Sequence, residues 1–145
     1  MGHAATRKML IPLQVVVAFA AVIGALVVVP GLPLDWIRRG PMTDFTVPAI
    51  ALGLFVGGSA VVALGLLITD SRSAGVASMV AGALIIAFEF VEIWVIGFAI
   101  LVRGIDDPLA WWQVACIAIG VIGIALGYHL WHVPADPLAY LRHAH

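Results

Sequence analysis

The chain has 145 residues, of which 63% are hydrophobic and 10% charged, with a formal net charge of −1. A soluble domain carries about 25% charged residues, so this chain lacks the polar surface to cover a fold in water. The near-neutral charge excludes a basic nucleic-acid binder, and the single cysteine, Cys116, excludes an internal disulfide or a cysteine-based metal site.

A membrane helix needs about 20 apolar residues, so the length allows four spans and no separate soluble domain. The first span is predicted over 9–29. Arg7 and Lys8 precede it, but the run is long for a signal peptide and ends in Pro30-Gly31-Leu32-Pro33 without a small-x-small cleavage site, so it reads as a retained anchor. Pro12 is expected in its first turn, where a missing N–H costs nothing. Ala20 and Gly24, and Ala21 and Ala25, form small pairs four apart that let helices approach closely. The loop 30–45 mixes Leu34, Trp36 and Ile37 with Arg38 and Arg39, as an interfacial segment does.

The second span is predicted over 47–69, with Asp44 or Thr46 as cap and Pro48 in the first turn. Ala49, Gly53 and Gly57 make a small ridge at spacing four, with Gly58, Ser59 and Gly65 nearby. Asp70-Ser71-Arg72-Ser73 is a short turn into a third span over 74–102, in which Ala74, Ser78 and Gly82 repeat the small spacing. Asp107-Pro108 is a cap followed by proline at the first helical position, and it opens the fourth span, 108–133. Trp111 and Trp112 belong at headgroup level. Gly120, Gly123 and Gly127 supply another close-packing face, and a short surface helix is expected over 137–142. The expected fold is therefore all-α, an integral membrane four-helix transmembrane bundle in up-down-up-down order. Counting Lys and Arg on the two sides weakly favours both termini in the cytoplasm.

The third span carries the costliest residues. Glu89 and Glu92 lie within an apolar run, and the spacing i, i+3 puts them on neighbouring parts of one face, about 4.5 Å apart along the axis. Glu89 also continues the line Gly75–Gly82 at heptad spacing, so it is expected to face the packed interior, near the centre of the span. An acidic group in a membrane marks an ion, proton or ligand site; the alternative is a pair of neutral acids that hydrogen-bond across helices, or that await an arginine from a partner. Asp44, Arg38 and Arg39 are expected at the outer mouth above Glu92, and Trp94 beside it as a shield. His129 and His132 fall at the other end of the fourth span, so glutamates and histidines do not share a level and no metal site is expected. The glycines lie inside spans at packing spacing rather than in a nucleotide loop, and no serine or cysteine triad shares a depth. No catalytic residue and no cofactor is expected.

Asp44-Phe45-Thr46-Val47-Pro48, Gly57-Gly58, Gly82, Glu92 with Gly97, and Trp112-Gln113 follow one another in an order that resembles a group of small, uncharacterised four-helix bacterial membrane proteins. The resemblance runs from the second span to the start of the fourth. It implies the four-helix architecture, a bacterial inner (plasma) membrane and a shared glutamate at Glu92, with Phe88 and Glu89 as departures; it implies no activity. The functional expectation is a channel, carrier or ligand-binding membrane protein built on Glu92 and Glu89. The alternative is a structural or accessory subunit of a homo-oligomer or larger membrane complex. A lipid or amphiphile is the expected ligand class beside the bilayer itself.

Overall fold

A computed structural model describes residues 2–28, 31, 44–96 and 108–133 of the chain, and all statements about structure concern these residues. They are all-helical, with four helical rods long and apolar enough to cross a membrane: His3–Leu26, Thr46–Ile68, Ala74–Trp94 and Ala110–His132.

The first rod is α1 (His3–Ile23), continued by a π-helical turn, Gly24–Val28. It starts before the predicted residue 9 because the polar residues ahead of the apolar run are put to use. The Thr6 amide and hydroxyl both donate to the Gly2 carbonyl, at 3.1 and 3.3 Å, and Thr6 is fully buried. Pro12 consequently lies inside the helix and not in its first turn. Pro12 removes the donor to the carbonyl of Lys8, and both residues are on the exposed face.

The second rod joins α2 (Thr46–Ile50), a π-helical stretch Ala51–Gly57 and α3 (Gly58–Ile68). Its start is set by Asp44, whose Oδ1 accepts from the Thr46 amide at 2.8 Å. The two π-helical stretches pack on each other. A Cβ added at Gly53 would lie 3.2 Å from the Ala25 Cβ, and one at Gly57 would lie 3.3 Å from the Ala21 Cβ. The small pairs of the first span and the small ridge of the second are thus the two sides of one contact. The widened winding itself has no signature in the sequence; π-turns of this kind recur at functional sites.

A tight turn follows. Asp70 takes φ 54°, and the Ser71 amide donates back to the Leu66 carbonyl at 3.0 Å. Arg7 closes this end. Its Nε donates to the Leu67 carbonyl at 2.6 Å and an Nη to the Ile68 carbonyl at 3.0 Å, while another Nη lies 3.4 Å from Asp70. A cation on the last carbonyls of a helix satisfies acceptors that have no partner within it and complements the helix dipole.

The remaining rods are α4 (Ala74–Ile96) and α5 (Pro108–His132). The predicted continuation of the third span to 102, the cap at Asp107 and the short helix 137–142 lie outside the described residues. The α4–α5 contact is the most extensive in the molecule. It is built on two glycine pairs. A Cβ on Gly82 would sit 2.6 Å from the Gly120 carbonyl oxygen and one on Gly120 2.8 Å from that of Gly82; Gly75 and Gly127 repeat the pattern at 2.7 Å each way. Backbone touches backbone at both rungs, which only glycine permits. Gly123 is different: a Cβ there meets nothing closer than 3.6 Å, so it belongs to the interface without being required by it.

All four rods meet in the core at two levels. One cluster gathers Val17, Ala21, Val56, Ala60, Ile85 and Cys116; the other gathers Leu10, Leu67, Ala74 and Leu130. The opposite faces carry exposed Phe19, Leu26, Leu54, Val62 and Phe90. Apolar faces of that extent are what a hydrocarbon surrounding accepts and water does not.

A polar layer between α4 and α5

The glycine rungs predict the next one. On α4 the sequence steps from Gly75 to Gly82 to Glu89, and on α5 from Gly127 to Gly120 to Gln113, each by seven residues. At the third rung two polar side chains replace two glycines, and both are buried: Glu89 is 2% exposed and Gln113 0%. The backbones that touch at Gly82 and Gly120 leave side-chain room one heptad further on, where Glu89 and Gln113 fill it.

The Gln113 amide donates its Nε2–H to Glu92 Oε1 at 3.2 Å, and Glu92 itself is half-buried. The Cys116 thiol, one turn from Gln113, is hydrogen-bonded to Glu89. The other carboxyl oxygen of Glu89, Oε2, is buried without a hydrogen-bond partner. Neither α4 nor α5 contains a lysine or arginine. The groups that face the two carboxyls from α5 are therefore an amide and a thiol, neutral donors both. Leaving a buried polar atom unpartnered costs about 1–3 kcal/mol, so the free Oε2 is a feature of the layer that needs an explanation.

The rung also sets the depth of the pair relative to α5. Gln113 is only five residues beyond Pro108, the first residue of α5, about 7.5 Å along the axis. Glu89 therefore lies level with the first turns of α5, while the far end of the third span, against which its centre was expected, lies outside the described residues. The register of the glycine pairs decides this level.

The other predicted site residues are dispersed. Asp44 is exposed and held by the Thr46 amide, so it serves as the start of the second rod. Arg38 and Arg39 lie outside the described residues, and so does the funnel they would complete. Trp94 is 75% exposed; two residues from Glu92, it is turned away from it and does not shield it. His132 stacks with Tyr128 and meets Trp131 edge-on, with its Nδ1 3.0 Å from the Tyr128 carbonyl oxygen. That group sits by the Gly75–Gly127 rung, two heptads from the glutamates, about 21 Å along the helix. Among the described residues no three His, Cys, Asp or Glu side chains come together as a metal site would need.

No family model, no curated protein and no solved structure matches the chain.

Three residues of the interior were passed over as site candidates: Gln113, Cys116 and Gln14. Gln14 lies on α1, is 2% exposed, and has an unpartnered Oε1. A signal was available. Gln14 is the sole polar side chain between Met9 and Val29, and Gln113 stands in heptad step with Gly120 and Gly127. A buried amide without a partner is costly by the same reasoning that marks a buried acid.

Proposed function

We propose that the protein is an integral membrane protein of up-down-up-down topology, with both termini in the cytoplasm of a bacterium, and that Glu89, Glu92 and Gln113 form an intramembrane proton-binding site in a small channel or carrier. The observation that carries this reading is the buried, unpartnered Oε2 of Glu89 in a layer whose α5 donors are a neutral amide and a neutral thiol. A carboxyl so placed is able to carry a proton, and among the described residues neither α4 nor α5 has a lysine or arginine to hold it ionised. The tight packing around Glu89 suits a proton better than a bulkier solute. Glu92, half-buried and held by Gln113, is the member of the pair that exchanges with the outside.

Reconstitution into liposomes with an imposed membrane potential and an internal pH-sensitive dye tests this. Glu92→Gln should abolish proton flux while leaving the helical bundle intact. Normal flux in that variant would sink the proposal.

A second reading, an accessory subunit of a homo-oligomer or larger membrane complex, is favoured by a separate observation. Gly58 and Gly65 have nothing within 4 Å of an added Cβ, and they lie on a face with exposed Leu54, Val61, Val62 and Ile68. Gly53 and Gly57, by contrast, are spent on α1. Leucine at Gly58 or Gly65 should therefore release a partner without unfolding the bundle, and a monomer that co-purifies with nothing argues against this reading. A lipid or amphiphile retained through purification, detected by mass spectrometry, would favour a ligand-binding form of the site.

A further inference from the structure

The end of the bundle away from the polar layer gathers the described cations. Arg7, Lys8 and Arg72 are all the lysines and arginines among the described residues, and all three lie there. Their level is set by the second core cluster, in which Leu10 of α1, Leu67 of α3, Ala74 of α4 and Leu130 of α5 pack together. Lys8 precedes Leu10 by two residues and Arg72 precedes Ala74 by two, so both stand just outside that level. Arg7 is spent on the Leu67 and Ile68 carbonyls and on Asp70. Lys8 and Arg72 are exposed, and neither is in an ion pair among the described residues. Helical side chains lean toward the N-terminus of their helix, and α1 begins at this end, so the Lys8 ammonium is carried outward.

The aromatic residues of α5 mark what surrounds this end. Trp112 and Trp131 are both exposed and stand nineteen residues apart, about 28 Å along the axis. That is close to the ~30 Å thickness of the hydrocarbon core of a bilayer, and exposed tryptophans settle at its two boundaries. Trp131, with exposed Tyr128 three residues before it, marks the boundary at the cationic end. The Trp131 backbone meets Gly75, three residues beyond Arg72, so Arg72 stands beside that boundary, at the level of lipid phosphates. We propose that this end of the bundle is a contact surface for anionic phospholipid, with Lys8 and Arg72 against the headgroup phosphates and Tyr128 and Trp131 at the glycerol level. Net charge selects the lipid. The end carries three described cations against one described acid, Asp70, so a headgroup of net negative charge gains more there than a zwitterionic one.

This surface rests on the membrane reading of the four rods and is independent of the proton site. Electron spin resonance of phospholipids labelled on the acyl chain tests it. The protein is reconstituted in phosphatidylcholine vesicles, and the motionally restricted fraction is compared for labelled phosphatidylglycerol and labelled phosphatidylcholine. The parent should favour phosphatidylglycerol about fivefold, the scale of one cation near an anionic headgroup. Lys8→Gln combined with Arg72→Gln should bring the preference close to parity. The restricted fraction of phosphatidylcholine, which reports an inserted bundle, should stay unchanged in that variant. Asp70→Asn keeps both cations and should preserve or raise the preference; its loss there would overturn the assignment to Lys8 and Arg72. Equal association of the two lipids with the parent, or an undiminished preference in the double variant, overturns the lipid surface and leaves membrane insertion standing. No restricted lipid of either kind overturns both. If the double variant fails to reconstitute, salt decides on the parent. Raising it from about 0.1 to 1 M shortens the screening length from about 10 to 3 Å and should reduce the preference, and a preference indifferent to salt overturns the charge contact.

Discussion

Replacing Gly82 by alanine puts a methyl carbon 2.6 Å from the Gly120 carbonyl oxygen and 3.0 Å from the Ile124 amide nitrogen. Both are backbone atoms, so no rotamer change relieves the contact. Ordinary Cβ contacts begin at 3.4 Å, so α4 and α5 must part by 3.4 − 2.6 = 0.8 Å. A gap of about 0.5–1 Å forfeits roughly a quarter to a half of each dispersion contact it opens, and this is the most extensive interface in the molecule. Overpacking costs about 1–3 kcal/mol, and a clash with two backbone atoms that no rotamer change relieves belongs to the upper half of that range, about 2–3 kcal/mol, of which the better helix propensity of alanine returns about 1 kcal/mol. The expected net loss is about 1–2 kcal/mol, roughly a 5–30-fold fall in the ratio of folded to unfolded protein. Gly123→Ala provides the control, because its Cβ meets Gly82 Cα at 3.6 Å and Ser78 O at 3.8 Å; with no clash to offset the helix propensity of alanine, it should equal the parent in stability or exceed it by up to about 1 kcal/mol. Reversible unfolding in bicelles, followed by steric trapping or by titration with a denaturing detergent, measures both. A Gly82→Ala protein as stable as the parent, or a Gly123→Ala protein as damaged as Gly82→Ala, would refute the backbone-contact argument.

Three further outcomes follow from the same contacts. Gln113→Leu removes the donor to Glu92 Oε1 and should cost about 1–3 kcal/mol; adding Glu92→Leu should recover much of that loss, and a double-mutant cycle with no coupling would contradict the hydrogen bond. Arg7→Ala strips the donors from the Leu67 and Ile68 carbonyls and should cost about 1–3 kcal/mol, whereas Asp70→Asn should cost at most about 1 kcal/mol, because the ion pair is solvent-exposed. Thermal unfolding of the two variants side by side checks this, and equal losses would mean that Arg7 acts through the ion pair instead. Asp70, at φ 54°, should accept glycine without loss, while valine there should cost about 1–3 kcal/mol in the same measurement, with no loss for valine counting against a left-handed turn.

The four apolar rods could be read from composition and run length, because the hydrophobic requirement for a membrane helix is a property of a stretch and not of its neighbours. The start of the second rod and the short turn before α4 were equally plain, since Asp44 and Asp70 to Ser73 act through local hydrogen bonds. The start of the first rod was not, because the bonds that hold Arg7 in the fold run to Leu67 and Ile68, about sixty residues away in sequence. Small residues announced close packing but not its partners. Gly53 and Gly57 turn toward the first rod, Gly58 and Gly65 meet none of the described residues, and Gly123 proves looser than Gly120 and Gly127 although all three follow the same rule of spacing.

The glutamate pair divides in the same way. That Glu89 and Glu92 are costly, lie on one face and continue a glycine line was fixed by residue type and helical period alone. Their partners and their depth came only from the tertiary structure. The reason is physical: helical periodicity states which residues share a face, whereas the register between two helices is set by where their backbones can touch. Here that place is the pair of glycine rungs, and they carry Gln113 to the acids and set the polar layer level with the first turns of α5.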